Sequence, residues 1–183
     1  MTVTAMWRRL DAPGHDVASL IQSDTGWLLR GTAIFLHQLG PASVEYSVDL
    51  DPVWQTRRGR VRGYLAGNKF DHAISREIDG WYLDGVLSAG TTLLCDLDFG
   101  FTPATNLQQL RRLALAPGRA AELSVAWFDI GATSLVTLPQ RYERRGEASY
   151  WYEAPTVPYE GLLDIATNGF IKLYPSLWAM ESS

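Results

Sequence analysis

Two acids stand two residues apart in the stretch Asp96-Leu97-Asp98-Phe99-Gly100-Phe101-Thr102-Pro103-Ala104-Thr105-Asn106. Paired carboxylates carry acid–base chemistry and glycoside hydrolysis. On one face of a strand such side chains lie roughly 7 Å apart, which permits a catalytic pair. Nothing else supplies the rest of a mechanism. His15, His37 and His72 are far apart in sequence, so neither a Ser-His-Asp set nor a zinc site is well provided. There is no Gly-x-Ser-x-Gly elbow and no Gly-rich phosphate loop ending in Lys. Cys95 follows Leu94 in an apolar run and reads as a buried, inert thiol. The preferred reading of Asp96 and Asp98 is therefore a pair facing outward or onto a rim, bonded to Arg111 or Arg112.

A second group is basic. Arg58, Arg60 and Arg62 share one face of a strand, with Trp54 and Thr56 ahead of them. By the same alternation Arg57 falls on the other face, beside Gly59 and Val61. Guanidinium groups offer a planar fork of donors for phosphate, sulfate or carboxylate. The plainer reading is a solvated strand face paired with Glu45, Asp49 and Asp51. Trp54, Trp81, Trp127 and Trp151 fall in expected strand interiors. Singly they suit core packing, and together they suit the wall of an apolar cavity.

Composition narrows the classes. The chain has 183 residues, 46% hydrophobic and 20% charged, which suits a single globular domain over 1–183 with a substantial core. Seven Trp, eight Tyr and six Phe favour strands and pocket walls. A net charge of −4 argues against a general nucleic-acid binder. One cysteine permits no internal disulfide. No cofactor is called for by any motif. No apolar run approaches the roughly 20 residues of a membrane span. The first residues lack the apolar core of a secretory signal, which sets a cytoplasmic expectation. No oligomeric state follows from the sequence.

The elements that must position these residues are mostly strands. Val44, Tyr46, Val48 and Leu50 alternate with Glu45, Ser47, Asp49 and Asp51, a period that a helix does not produce. Strands are expected over 7–10, 27–38, 54–65, 70–78, 81–87, 122–130, 134–144, 147–154, 159–166 and 170–174. The run 15–22 suits a helix face or a strand, and the turn Ser23-Asp24-Thr25-Gly26 favours a hairpin. Gly67-Asn68 and Asp79-Gly80 read as further turns, the latter of type I′. Leu107, Leu110 and Leu113 mark one candidate helix over 107–115, evenly balanced against extended structure. The tail from Pro175 carries one anchor, Trp178. A mainly β fold is expected: one many-stranded antiparallel sheet rolled into a half-barrel or spiral roll, with at most two short helices. Within it Asp96–Asn106 reads as a corner. Gly100 permits a bend, Thr102-Pro103 turns the chain, and Thr105 and Asn106 cap or bond the backbone of the segment after them. The corner is expected at the rim of any cavity.

Asp96-x-Asp-x-Gly-Phe-Thr-Pro-Ala-Thr-Asn, followed by Arg111-Arg112-Leu113, resembles the motif of a bacterial glycolipid-binding family. So do Trp7–Asp11, Trp54–Arg57, Ala126–Asp129, Leu138–Glu143, Tyr150–Pro155 and Phe170–Trp178. The resemblance spans nearly the whole chain. It implies a rolled β fold similar to periplasmic lipoprotein carriers, which hold acyl chains in an apolar cavity. Where this chain has Leu107-Gln108-Gln109, the family pattern has Thr-Leu-Pro, which weighs against the helix.

Together these readings favour a non-enzymatic binder of an amphipathic small molecule or glycolipid. Aromatic and aliphatic walls would bury the tail, and Arg57, Arg58 and the Asp96–Asn106 segment would meet the head. The expected ligand residues are Trp54, Arg57, Arg58, Asp96, Asp98, Thr102, Asn106, Trp127, Arg141 and Tyr152. Ten buried methylenes would contribute roughly 8 kcal/mol as an upper bound, enough for micromolar binding before ordering costs. Two alternatives stand beside it. One is a hydrolase of a sugar or lipid ester using Asp96, Asp98, Asp129 and Arg141. The other is a scaffold with a filled core.

Overall fold

A computed structural model describes residues 1–182. The chain first lays down β1 (Thr2–Arg9), β2 (Gly14–Ser23), β3 (Gly26–His37), β4 (Gly40–Leu50), β5 (Thr56–Leu65), β6 (Asn68–Glu77), β7 (Gly80–Leu83) and β8 (Val86–Ser88). After β9 (Leu97–Phe99) comes the helix α1 (Asn106–Leu113). Then come β10 (Ala120–Phe128), β11 (Val136–Arg144), β12 (Ser149–Ala154), β13 (Tyr159–Ile165), β14 (Ile171–Tyr174) and β15 (Trp178–Ser182). All strands belong to one 15-stranded sheet. From β1 it runs outward in sequence order to an edge at β8, and from β15 outward to an edge at β9. β1 and β15 pair and join the two wings. The two edges do not pair, so the sheet is not closed into a barrel. Neighbours are antiparallel except β9 and β10. This is the mainly β, rolled architecture that the alternation and hairpin turns imply.

Alternation decides which face is buried. On β4, Val44, Tyr46, Val48 and Leu50 point into the core while Glu45 is exposed. Leu138, Gln140 and Tyr142 on β11, and Tyr150, Tyr152 and Ala154 on β12, repeat the pattern. The β9 end of the sheet is tucked against the inner face of β4 and β5. Leu97 N–H donates to Thr56 Oγ1 at 3.1 Å, and Thr56 N–H donates to the Cys95 carbonyl at 3.0 Å. Phe99 packs edge-on against Tyr46 at 6.0 Å. Gly59 makes this approach possible, because a Cβ there would overlap the Leu97 side chain. Both faces of β9 are buried.

Several local expectations are corrected. Trp54 is in a turn at φ 69°, not in a strand, and stacks on Trp27 with centroids 4.5 Å apart. That turn is tied by the Asp51 carboxylate, which accepts from the Val53 and Gln55 amides at 2.9 Å. Leaving it, β5 pairs Thr56 with Leu50 but Arg58 with Asp49, so Arg57 is an extra bulged residue. The bulge turns Thr56 inward and leaves Arg57 exposed, the reverse of simple alternation. One turn lies at Ala66 and Gly67, both at positive φ, rather than at Gly67-Asn68. Another falls on Ile78 and Asp79, and a further turn at Asp84-Gly85 divides the expected 81–87 strand into β7 and β8. The tail is a strand inserted between β14 and β1.

The candidate helix forms. Leu107 and Leu110 are buried beneath it, and Arg111 and Arg112 in its last turn suit the negative end of its dipole. It has no side-chain cap from Thr105, so that expectation fails. Cys95 is partly exposed rather than buried. No described helix is long and apolar enough to cross a membrane.

Candidate functional site

The stretch from Phe101 to Leu110 is buried throughout, so it is an inner plug and not a rim. Its polar groups are organised around three buried acids. Asp98 Oδ1 accepts from Thr105 Oγ1 at 2.5 Å and from Phe99 N–H at 3.0 Å. Asp98 Oδ2 accepts from Gln140 Nε2 at 2.7 Å. This is where the Thr105 hydroxyl goes instead of capping α1. Burial pushes the Asp98 carboxyl up to about 6, against the pull of those donors. Asp96 is held differently: Arg112 clamps it with Nε at 3.0 Å and Nη2 at 2.5 Å. Burial raises its pKa and the guanidinium opposes that.

The third acid is Asp16 on β2. Tyr46 Oη donates to it at 3.0–3.1 Å, and Thr102 Oγ1 also donates to it. Tyr46 comes from β4 and crosses the intervening strand at Gly31, where a Cβ would overlap its ring and hydroxyl. Burial pushes the Asp16 carboxyl up to about 7. A glycine on β3 thus fixes a bond between β2, β4 and the plug.

A cleft of about 340 Å³ opens where the plug meets the second wing. Asp98, Thr102, Asn106, Tyr152, Tyr174 and Trp178 form its buried base. Gly100, Val157 and Pro158 form an exposed rim, with Trp127, Tyr159 and Leu177 half-buried between. The aromatic wall is continuous: Tyr152 is 4.8 Å from Tyr142, 6.0 Å from Tyr159 and 5.7 Å from Tyr174 between ring centroids. Asn106 Nδ2 donates to Tyr142 Oη at 2.8 Å, fixing the plug to this wall. Burial and the Asp98 charge hold the Tyr152 hydroxyl well above its ordinary value, and burial pushes Tyr159 up to about 12. These hydroxyls are neutral hydrogen-bonding groups, not nucleophiles. The site offers aromatic rings above a polar floor. Among the described residues no group of three His, Cys, Asp or Glu side chains has metal-site geometry.

The structure gathers five of the ten expected residues at this cleft: Asp98, Thr102, Asn106, Trp127 and Tyr152. The others lie elsewhere. Asp96 is buried against Arg112 and does not line the cleft, so the two acids do not face one substrate. Arg58 is exposed and paired with Asp49, while Arg60 and Arg62 are held by Asp71 and Glu45 at 2.7 and 2.6 Å. Arg57 is exposed at the bulge, and Trp54 belongs to the β4–β5 turn under Arg111. Arg141 points outward between Glu143 and Glu153. Sequence reasoning missed Tyr159, Tyr174, Gln140 and Asp16. Asp16 had a signal, since it shares its parity on β2 with buried Ala18 and Leu20.

No curated protein matches the chain. A crystal structure of a DUF1089 family protein from Pseudomonas aeruginosa, at 1.80 Å, superposes with a TM-score of 0.77. The two share 22% identity over 90% of this chain and 91% of that one, which establishes a common fold. A family model described as "Putative glycolipid-binding" matches residues 4–180, nearly the full length. The chain belongs to that family.

Proposed function

We propose that the protein is a non-enzymatic binder of an amphipathic glycolipid, taken head first into the cleft beside Asp98. The observation that carries this reading is the polarity of the cleft, which runs from a hydrogen-bonding floor to an apolar rim. Sugar rings bind such floors through their hydroxyls while their C–H faces pack on aromatic rings, here Trp127 and Tyr152. The volume lies near the lower end of small-molecule sites. It suits one ring and the start of a chain, with the tail leaving over Val157, Pro158 and Leu177. The family description supports a glycolipid ligand. The basic strand has no part in this reading, since Arg58, Arg60 and Arg62 are paired with acids on the far side of the sheet and Arg57 does not line the cleft.

Titration with decyl glucoside, followed by tryptophan fluorescence and calorimetry, tests it. Saturable binding is expected, weakened about tenfold or more by Trp127→Ala, as for a buried aromatic anchor. Native mass spectrometry before and after organic extraction gives an independent readout. A protein that carries no lipid and takes up no glucoside amphiphile would sink the proposal.

A further inference from the structure

Asp96 and Asp98 are both buried acids two residues apart, yet only one has a counter-ion. Arg112 neutralises Asp96 with a two-pronged contact. Asp98 has three donors, all neutral: a threonine hydroxyl, a backbone amide and a glutamine amide. A carboxylate has about four acceptor positions. Three are used, and the free one is on Oδ2. Asp98 is also the one charged residue among the described residues that line the cleft. Arg9 packs on the Trp178 ring at 4.9 Å, but its guanidinium is bonded to Asp11 at 2.6 and 2.9 Å. Asp16 lacks a cation as well, but it is covered by Tyr46 and Thr102 and does not line the cleft.

Gln140 holds Asp98 from behind. Its Nε2 is committed to Asp98, which fixes the amide's orientation, and its Oε1 is buried without any partner. Gln140 does not itself line the cleft, so the acceptor that the floor presents is the free position on Asp98. What complements acceptors is a group with donors only. Around it stand the rings of Trp127, Tyr152 and Tyr174, whose quadrupoles attract cations.

We infer that the cleft selects head groups bearing an ammonium, such as an amino sugar, bound between Asp98 and the aromatic rings. This rests on the binding reading above and narrows it to a ligand class. Phosphate and sulfate heads would meet an uncompensated carboxylate with no cation to hold them. A neutral sugar would leave the negative charge unanswered.

Three amphiphiles with one decyl chain distinguish these cases: the glucoside, the 2-amino-2-deoxyglucoside and the sulfate. Calorimetry on the whole protein at low salt and about pH 7 keeps most of Asp98 ionised and most of the amino sugar protonated. The amino sugar is expected to bind about tenfold more tightly than the glucoside, and the sulfate more weakly than both. Asp98→Asn is expected to bring the amino-to-neutral ratio close to one. The wild-type ratio decides the matter even if that variant does not fold. Equal binding of the amino sugar and the glucoside, or tighter binding of the sulfate, overturns this inference and leaves the binding reading standing. No binding of any of the three overturns both.

Discussion

Asp16→Asn reports directly on how the plug is fixed to the first wing. The wild-type carboxyl is buried with only hydroxyl and amide partners, and burial moves it from 3.8 up to about 7. At about 1.4 kcal/mol per pH unit, that displacement corresponds to roughly 4 kcal/mol. The folded pKa is above the unfolded one, so the native state keeps a proton that the unfolded chain has released. Stability from this group is therefore complete below about pH 4 and is lost as pH rises through about 7. Asparagine keeps the shape and cannot ionise, and the hydroxyls of Tyr46 and Thr102 can accept from its amide. The variant and wild type should be closest near about pH 4. By about pH 8 the variant should be the more stable by up to about 4 kcal/mol. Urea unfolding followed by tryptophan fluorescence, at constant ionic strength, measures the difference at each pH. A difference that does not change with pH would refute the reasoning. Carbon NMR of the wild-type Asp16 carboxyl gives the same answer without a variant, through a titration close to neutrality.

The geometry sets three further outcomes. Arg112→Ala strands a buried carboxylate and should cost about 3–5 kcal/mol in urea unfolding, with much of the loss recovered by adding Asp96→Asn. Gly31→Ala forces Tyr46 off Asp16 and presses on the Val17 carbonyl, so a loss of about 1–3 kcal/mol is expected. Gly59→Ala meets only the end of the Leu97 side chain and should cost less; the reverse ranking in thermal melts would count against the Tyr46 bridge. Arg57→Ala with Arg58→Ala should change stability by less than about 0.5 kcal/mol and leave decyl glucoside binding within about twofold. A large loss of binding there would return the head group to the basic strand.

What the sequence reveals depends on the distance over which the signal acts. The β4 strand is legible because its burial is written in its own alternation. The exposed face of Arg58, Arg60 and Arg62 is legible for the same reason. The position of Arg57 is not, because a bulge set by the Asp51-tied turn shifts register by one residue, and parity carries no mark of that. The plug stands out locally as acids and small polar residues among aromatics. That it is the buried floor of a cleft depends on Gln140, Tyr142, Tyr152 and Tyr174, which reach it from three other strands. Each of those tyrosines looks like ordinary core on its own strand. Asp16 lies in a run whose apolar residues also suit a helix face, so its inward parity with Ala18 and Leu20 can be read only on the hairpin reading that the Ser23–Gly26 turn favours.

The seam between β1 and β15 has a kinetic consequence. Nearly every strand pair joins sequence neighbours, and such pairs close short loops at low entropic cost. The seam instead joins the first strand to the last. The hairpins of β1–β8 and those of β10–β15 can each nucleate by themselves, in either order. Zipping β1 to β15 then comes late, because it depends on the most non-local contacts in the molecule. Until it forms, β1 and β15 each present an unpaired edge, and Trp7 lacks the Ile171 carbonyl to which its indole donates at 2.6 Å. The species most prone to associate with another chain is therefore one with two finished wings and an open middle.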